Sequence, residues 1–422
     1  MTSAVEFEGL GQSLWSAHAP TRVRVALAGC GAVGSALLRE FAARRTTLAE
    51  RIGLEVQVVR VLVRDVERSR DAAFDRALLT SDVDEFLAAD ADVVIEAIGG
   101  LDPARRIAET VLGRGQPLVT ANKLLLALRG SSLAQLARSN GTTLRYDAAV
   151  GGGVPILRVL DEALGAGGPT RVRGILNGTA NFVLTRIESG ASFDDALDQA
   201  RAAGFAEADA SRDLDGRDAA DKIALIAWAA FGVAPESLPV RRHTLLPDPA
   251  RYVALASRLG ASIRHVAECA LVDGEVVASV EPVLAPLDSA LARTRDEGNL
   301  AEVFTGWRAP LCASGPGAGG QPTAVALLSD LISTSAAPLR RELTRGAADD
   351  ARGFRWAVEV RDGPSSLHRA VRSCSHVHTN DTATLSWTTI QCATPAEIGS
   401  LIFALDAAGA EPIFARYDEA CT

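Results

Sequence analysis

A charged run from Gly204 to Lys222 carries the side chains of this sequence that are best suited to acid–base chemistry. It reads GFAEADASRDLDGRDAADK, in which six carboxylates accompany two arginines and one lysine. A helix beginning near Asp215 would place Asp218 and Lys222 four residues apart on one face. The carboxylates would then hold Lys222 charged and oriented as a proton donor. A solvated acidic loop ahead of a core helix explains the same composition, so the run by itself leaves both interpretations open.

Two elements must position this lysine and bring a reaction partner to it. Residues 223–231, IALIAWAAF, continue the run as an apolar helix that would hold Lys222 at a fixed depth. Near the start of the chain, residues 23–28 have the pattern of a buried strand, and GCGAVG at 29–34 leads directly into a helical segment. A strand, a G-x-G-x-x-G turn and a helix in this order predict a dinucleotide site, because the turn brings backbone close to a pyrophosphate. The predicted contacts are Gly29, Gly31, Ala32, Val33 and Gly34.

The end of the second predicted strand, residues 56–63, bears on the choice of cofactor. Arg64 comes first and Asp65 follows, with further arginines nearby. An arginine at this point can pair with the 2′-phosphate of NADP, whereas an acid binds the ribose hydroxyls of NAD. We therefore favour NADP(H), and Asp65 leaves NAD open.

Further strands are predicted at 92–100, 117–123 and 144–150, alternating with helices over about 130 residues. This pattern is typical of a doubly wound α/β domain with a parallel sheet, in which ligands bind at the carboxyl ends of the strands. Gly99 and Lys123 lie at two of those ends.

The bulk composition excludes several classes of protein. The 422 residues carry 43 Lys and Arg against 52 Asp and Glu, a net charge of −9, which does not attract nucleic acid or an anionic membrane. No apolar run is long enough to cross a bilayer, and residues 1–20 lack the apolar core of a signal peptide. Six scattered cysteines without a C-x-x-C pair indicate a reducing compartment. We expect a cytoplasmic protein that acts on a small molecule.

Six motifs occur in the order found in homoserine dehydrogenases, over residues 22 to about 345. They are VIEAIGG at 94–100, VTANK at 119–123, VGGGVPI at 150–156, NGTAN at 177–181, the acidic run at 204–222, and GPGAG at 315–319 with PTA at 322–324. The chain therefore resembles the homoserine dehydrogenase family. The resemblance implies interconversion of L-aspartate 4-semialdehyde and L-homoserine with a nicotinamide cofactor.

The same resemblance implies roles for individual residues. Lys222 would give the proton to the carbonyl oxygen, and Lys123 would lie beside substrate and nicotinamide. Glu207 would bind the substrate ammonium, Asp218 would hold the substrate and orient Lys222, and Asp213 would lie in the same shell. Further cofactor contacts would come from Gly178, Gly317 and Gly319.

A monovalent cation such as Na⁺ or K⁺ is also implied by the resemblance. Its ligands would be Asp147, Val150, Gly152 and Val154, although the glycine turn at 150–154 could equally be a plain turn. Two residues depart from the family pattern: Asp147 replaces a Glu, which would weaken the cation site, and Ala210 replaces a Pro, which would loosen the loop before Asp213.

The expected domains are a tail at 1–20, a dinucleotide-binding domain at 21–150 completed by about 315–345, and an α/β substrate and dimerisation domain at 151–314. A linker at 346–353 would lead to a small βαββαβ domain at 354–422 that resembles an ACT regulatory domain. That domain could bind an amino-acid effector or could serve only in dimerisation. The resemblance further implies a homodimer or homotetramer.

Two other functions stay open from the sequence. The departures at Asp147 and Ala210 allow a dehydrogenase for a modified amino-acid aldehyde. A non-catalytic sensor of nucleotide and amino acid is the other alternative, against which the intact Asp218 and Lys222 argue.

Overall fold

The computed structural model of the protein describes residues 20–70, 75–306, 309–335, 354–360, 387–392 and 412–417, together with 401, 402 and 405. The described chain divides into two compact units. The first contains the residues up to Leu125, Ser132–Ala148 and the segment that begins at Thr323; the second contains Leu126–Ser131, Ala149–Pro322 and the C-terminal strands.

A parallel six-stranded sheet forms the centre of the first unit. Its strands are β1 Thr21–Ala28, β2 Leu54–Leu62, β3 Leu79–Thr80, β4 Val93–Glu96, β5 Leu118–Thr120 and β6 Leu144–Arg145, in the order β3-β2-β1-β4-β5-β6. The helices of this part of the chain are α1 Ala32–Ala43, α2 Arg45–Thr47, α3 Val83–Leu87, α4 Ala104–Gly113, α5 Lys123–Ser139 and α6 Asp147–Val150. The order reverses direction between β1 and β4, so their carboxyl ends open a crevice there. The doubly wound prediction is confirmed.

Both faces of this sheet are buried, because successive side chains of a strand point to opposite faces. Val25 and Leu27 of β1 pack in one core with residues of α1, while Ala26 and Ala28 pack in the other with residues of α4. Leu331 belongs to the first of these cores, so the segment after Thr323 completes this unit.

A mixed nine-stranded sheet forms the second unit. Its strands are β7 Arg171–Ile175, β8 Val240–Arg242, β9 Ala261–Val272, β10 Glu275–Pro286, β11 Gly298–Phe304, β12 Leu311–Pro316, β13 Phe354–Val360, β14 Trp387–Cys392 and β15 Pro412–Tyr417. The order is β12-β11-β7-β9-β10-β15-β13-β14, with β8 paired to β10. The remaining helices are α7 Ile156–Gly165, α8 Gly178–Glu188, α9 Phe193–Ala202, α10 Ser211–Leu214, α11 Arg217–Phe231, α12 Pro249–Arg258, α13 Ala290–Arg293 and α14 Gly320–Ser335.

Three local predictions differ from the structure. Residues 147–150 form the short helix α6 instead of continuing a strand, and the backbone N–H of Asp147 donates to Asp330 Oδ2 at 2.9 Å. The sequence pattern predicts two short strands, at 268–272 and 276–280. The hairpin strands β9 and β10 are far longer, because twelve residue pairs match in register. Helix α8 begins at Gly178, before the predicted segment 182–187, since Asn177 caps it.

The C-terminal strands belong to the same sheet as β7 to β12. β15 runs parallel to β10, and β13 pairs antiparallel with β14 and β15. Strand positions predicted at 354–360, 385–390 and 412–416 agree with β13, β14 and β15. The predicted tail up to residue 19, the linker at 346–353 and the helix after residue 361 lie outside the described residues. Within the described residues, no helix is long and apolar enough to span a membrane.

Candidate active site

Helix α11 begins where the sequence predicts and carries the expected pair on one face. Gly216 precedes it with φ of 81°, a left-handed conformation that suits glycine. Asp218 and Lys222 then lie one turn apart, with 3.0 Å between Nζ and Oδ2. The apolar side of the helix is buried in the second unit, so Lys222 is held at a fixed depth.

The ring of His265 packs against the start of this helix. A Cβ on Gly216 would lie 3.0 Å from its Cε1 atom, and its Nε2 lies 2.9 Å from the carbonyl oxygen of His243. Burial lowers the pKa of His265 to about 4, so the ring is neutral at physiological pH. A neutral ring adds no positive charge near the carboxylates of the site.

Lys222 is buried and its amino group is held in two directions. Nζ donates to the carbonyl oxygen of Leu176 at 2.7 Å and to Asp218 at 3.0 Å. An ammonium has three N–H bonds, and in the described part of the chain only these two have partners. The third is available to an oxygen atom of a bound molecule.

Asn177 joins the two nearby carboxylates and was given no role by the sequence analysis. Its Nδ2 donates to Asp213 Oδ1 at 2.7 Å and to Asp218 Oδ2 at 3.0 Å, while its Oδ1 accepts from the backbone N–H of Ala180. The same side chain therefore caps α8 and spaces the acidic groups around Lys222. The NGTAN motif contained this residue, but only the fold shows its partners.

The loop that carries Glu207 is tied down at three points. Thr179 Oγ1 donates to the carbonyl oxygen of Phe205 at 2.6 Å, and Arg201 donates to that of Ala208 at 3.0 Å. Asp209 accepts from the backbone N–H of Ser211 at 2.9 Å. Glu207 itself is exposed, so its carboxylate is accessible to a ligand.

The departure from the family pattern at Ala210 is compensated by backbone hydrogen bonds. Its carbonyl oxygen accepts from the backbone N–H groups of Asp213 and Leu214, and its side chain is buried. Helix α10 begins directly after it.

In the first unit, the glycine turn after β1 fits a dinucleotide. Gly29 has φ of 105°, and a Cβ there would lie 2.5 Å from the carbonyl oxygen of Ala97. A Cβ on Gly34 would lie 2.0 Å from the carbonyl oxygen of Gly29. A Cβ on Gly31 would meet no described atom within 4 Å, so this backbone is open to a ligand. Ala32 and Val33 form the first turn of α1, whose N–H groups favour a phosphate.

The side chain of Asp65 accepts hydrogen bonds from its own loop after β2. Its Oδ1 accepts from the backbone N–H groups of Glu67 and Arg68 at 2.9 and 3.3 Å, while Arg70 donates to its carbonyl oxygen at 2.6 Å. Arg64 is exposed beside it. The acid is thus engaged by its own loop, and the arginine is not buried.

The carboxyl ends of β4 and β5 form a second surface of the first unit. Gly99 and Gly100 each have φ of 75°, and a Cβ on Gly99 would meet no described atom within 4 Å. After β5, Asn122 caps α5 by accepting from the backbone N–H of Leu125 at 3.0 Å. Lys123 is therefore the first residue of that helix and is half-buried.

In the second unit, several glycine turns meet around one buried amide. A Cβ on Gly152 would lie 2.2 Å from the carbonyl oxygen of Gly317, and one on Gly317 would lie 2.0 Å from Nδ2 of Asn299. A Cβ on Gly178 would lie 2.7 Å from the carbonyl oxygen of Glu297. Only glycine fits these close approaches. The sequence motifs do not indicate Asn299, because it lies outside all six of them.

The turn at 150–154 carries backbone carbonyl oxygens, the ligands that the cation prediction names. The carbonyl oxygen of Val154 accepts from the backbone N–H of Ile156 at 2.8 Å, which leaves it one lone pair. Val150 and Gly152 offer further backbone oxygens, and such an oxygen-only set suits a hard cation. The carboxylate of Asp147 is buried in α6 of the first unit.

Comparisons with known proteins indicate one family. Residues 29–147 match the family profile described as homoserine dehydrogenase, NAD binding domain, and residues 155–332 match the profile described as homoserine dehydrogenase. The homoserine dehydrogenase of Bacillus subtilis is 35% identical over 314 residues, which are 74% of this chain and 72% of that protein. That of Mycobacterium leprae is 38% identical, with 74% and 71% covered.

The chain belongs to the homoserine dehydrogenase family. A solved homoserine dehydrogenase from Thiobacillus denitrificans is similar over 95% of this chain and 99% of that one, with a TM-score of 0.79 and 27% identity. A hyperthermophilic archaeal homoserine dehydrogenase, solved in complex with NADPH, covers 75% of this chain and 98% of that one, with a TM-score of 0.62 and 25% identity. The predicted enzyme class, an NAD(P)-dependent oxidoreductase, is confirmed.

Lysine usage in this homoserine dehydrogenase singles out two positions. Of the 43 basic Lys and Arg residues, only Lys123 and Lys222 are lysines. Arginine serves as well as lysine in most ion pairs, but its guanidinium does not release a proton near neutral pH. Lysine is thus retained at the two positions for which the family resemblance predicts contact with the reacting groups. A count of lysines in the sequence is enough to reveal these two positions.

Proposed function

We propose that this homoserine dehydrogenase interconverts L-aspartate 4-semialdehyde and L-homoserine with NADP(H), and that Lys222 is its proton donor. The observation that carries the proposal is the buried ammonium of Lys222, held by Asp218 and by the carbonyl oxygen of Leu176. Two fixed partners direct the remaining N–H bond, which is what a general acid requires.

The chemistry follows from these contacts. When bound, the nicotinamide cofactor supplies or accepts the hydride. Lys222 Nζ donates its available N–H to the carbonyl oxygen and transfers that proton as negative charge develops there. Asp218 orients the ammonium, and Asn177 fixes the direction of Asp218. Glu207, exposed on its loop, binds the substrate ammonium and so orients the carbon that is reduced.

Substitution of Lys222 tests this role. In Lys222→Ala we expect turnover to fall by about 100- to 10,000-fold, the usual contribution of a positioned acid, with NADPH affinity near that of the wild type. The measurement is the near-ultraviolet absorbance of reduced nicotinamide as purified enzyme meets L-homoserine and NADP.

Lys222→Arg is the matched control, because it keeps the positive charge but cannot give up a proton near neutral pH. It should be as inactive as the alanine variant. The role assigned to Lys222 is wrong if Lys222→Ala loses NADPH binding and retains turnover at saturating cofactor.

The loop after β2 supports NADP over NAD. Asp65 is occupied by the backbone of Glu67 and Arg68, and Arg64 is exposed where a 2′-phosphate would lie. Arg64→Ser should lower the ratio of kcat/KM for NADP to that for NAD by about tenfold or more, the effect of one charge-assisted hydrogen bond. Arg51→Ser, an exposed arginine outside this loop, should leave the ratio unchanged. An unchanged ratio in Arg64→Ser would remove support for NADP.

Assembly, cation and effector belong to the same proposal. Exposed apolar residues on the β9–β10 hairpin, Val272 and Val277, favour a homodimer or homotetramer, which light scattering tests.

The carbonyl oxygens at 150–154 favour Na⁺ or K⁺, for which replacement of both ions by choline should lower the rate. An amino-acid effector at the C-terminal strands would appear as inhibition by threonine or a relative.

The two alternative functions predict other outcomes. A dehydrogenase for a modified aldehyde would prefer that aldehyde over L-homoserine in a substrate panel, but the compensated backbone at Ala210 does not favour it. A non-catalytic sensor would turn over no aldehyde, although it would bind NADPH.

A further inference from the structure

Glu96, the last residue of β4, is a fully buried carboxyl group at the ligand-binding edge of the first sheet. None of its surface is exposed, and neither the motif assignment nor the proposed mechanism gives it a role. A buried acid without a cationic partner is costly unless its oxygens accept hydrogen bonds. Its surroundings therefore show what it does.

Four donors from two turns meet on this carboxyl group. Oε1 accepts from the backbone N–H groups of Ile98 and Gly99 at 2.8 and 3.3 Å. Oε2 accepts from Thr120 Oγ1 at 2.5 Å, and Nδ2 of Asn122 lies 3.4 Å from Oε1. The turn after β4 and the turn after β5 are thus fastened to one side chain from within the sheet.

The contacts of Glu96 also affect the outer side of both turns. Asn122 also donates to the carbonyl oxygen of Gly100 at 2.7 Å and caps α5. Its orientation fixes the first turn of α5, in which Lys123 stands. Gly99, held on its inner side by Glu96, keeps its outer side open.

These turns lie in one half of the dinucleotide site. In a doubly wound sheet, one mononucleotide lies over β1 and the strands on its far side, and the other lies over the strands beyond the reversal of order. Arg64 follows β2, in the half that holds the adenosine. β4 and β5 lie in the other half, which holds the nicotinamide.

We propose that Glu96 is a positioning residue that shapes the nicotinamide half of the site and orients Lys123. The inference rests on the nicotinamide-binding role of this unit and does not depend on the choice between NADP and NAD. Burial raises the pKa of Glu96, while the hydrogen bonds from Thr120 and the two backbone groups oppose that rise, which agrees with a carboxyl group selected for its hydrogen bonds.

A comparison of NADPH with adenosine fragments distinguishes a local change in the nicotinamide half from a general loss of structure. The affinity for NADPH involves both halves of the site, whereas 2′,5′-ADP and 5′-AMP contact only the adenosine half. In Glu96→Ala the Kd for NADPH, measured by fluorescence titration, should rise about tenfold or more, because the buried donors lose their acceptor. The Kd for the adenosine fragments should stay within about threefold.

Two milder variants keep the test valid if Glu96→Ala folds poorly. Glu96→Gln keeps an acceptor for the two backbone N–H groups and should bind NADPH almost as the wild type does. Thr120→Val removes the hydroxyl group that joins Glu96 and should weaken NADPH binding without affecting 2′,5′-ADP. Glu40→Gln is the control, because Glu40 is a buried acid of the same unit that lies on α1 and pairs with Arg44, the residue that follows this helix.

The presence of only two lysines gives a second readout without turnover. Protein labelled with [ε-¹³C]lysine should show signals from Lys123 and Lys222 alone. Glu96→Ala and Thr120→Val should shift the Lys123 signal and leave the Lys222 signal in place.

Equal losses of NADPH and fragment binding, or an unchanged Lys123 signal with unchanged NADPH affinity, would overturn the inference. Wild-type protein that bound neither NADPH nor NADH would overturn the proposed function and this inference together.

Discussion

At the scale of single residues, the side chain of Asn177 separates two jobs that can be tested independently. Its oxygen caps α8, and its nitrogen donates to Asp213 and Asp218. Asn177→Asp keeps a capping oxygen but replaces the donor by an acceptor among carboxylates. We expect kcat/KM to fall by about 100-fold or more, as for the loss of a preorganised donor, with a much smaller change in thermal stability.

Ser192 offers the matched control for that experiment. It caps α9 by accepting from the backbone N–H of Asp195, and no carboxylate proposed for the site depends on it. Ser192→Ala should cost about 1 kcal/mol of stability and leave kcat/KM unchanged. Full turnover in Asn177→Asp would show that Asp218 needs no help from this amide.

The sequence predicts which residues matter better than it predicts what they touch. Lys222 and Asp218 could be paired in advance because helical spacing alone places them one turn apart. Asn177, Glu96 and Asn299 could not be assigned, since the partners that reveal their roles include residues far away in the chain, such as Asp213 for the first and Thr120 for the second. Their contacts depend on how strands are ordered in each sheet, which local patterns do not encode.

At the scale of elements, Gly216 decides where α11 begins. Its left-handed conformation costs an alanine about 1 kcal/mol, and the added Cβ would also lie 3.0 Å from His265 and 3.1 Å from Val280. Gly216→Ala should therefore lose more stability than the backbone conformation alone explains. It should also lower kcat, because α11 carries Asp218 and Lys222. Thermal unfolding and steady-state kinetics measure the two effects.

Gly190 isolates the backbone contribution to that result. It has φ of 97°, and a Cβ there would meet no described atom within 4 Å. Gly190→Ala should lose about 1 kcal/mol without a change in kcat. Equal losses in the two variants would mean that the ring of His265 moves aside and does not set the start of α11.

Elements were predicted well where one strong pattern defines them. The apolar run after Lys222 and the glycine turn after β1 have clear periodicity and clear breaks, and both agree with the structure. The lengths of β9 and β10 were underestimated because charged residues such as Arg264, Glu268 and Glu281 interrupt the apolar pattern. The fold buries all three by pairing them, and a local pattern cannot show this.

At the scale of the whole molecule, the C-terminal strand is part of the charge balance of the nine-stranded sheet. Arg416 of β15 donates to both carboxylate oxygens of Glu268, at 3.1 and 2.8 Å, and its Nε lies 3.8 Å from Glu281. All three side chains are buried. The strand lies beyond the residues that the two family profiles match, and it supplies a cation to acids on β9 and β10.

The pKa of Glu268 reports this balance. Burial would raise it, but the charge and hydrogen bonds of Arg416, with Arg171 and Arg173 nearby, outweigh burial and lower the pKa from 4.5 to about 2. A carboxyl group with a lowered pKa in the folded state stabilises the fold fully above pH 4.5, and this stabilisation is lost as the pH falls towards 2. A tenfold change in the acid dissociation constant on folding corresponds to about 1.4 kcal/mol of stability.

Arg416→Leu should therefore reduce the free energy of unfolding by about 3–5 kcal/mol at pH 7, because it leaves Glu268 buried without its partner. In the variant, the pKa of Glu268 would lie above 4.5, so protonation relieves the folded state and the difference from the wild type narrows as the pH falls from 7 towards 4. Urea unfolding at both pH values measures this. Arg105→Leu, at an exposed pair with Glu109, should cost under about 1 kcal/mol at either pH. A small, pH-independent loss in Arg416→Leu would mean that the pair of Arg416 and Glu268 contributes little to the nine-stranded sheet; the expected loss would mean that the C-terminal strand stabilises this sheet through the pair.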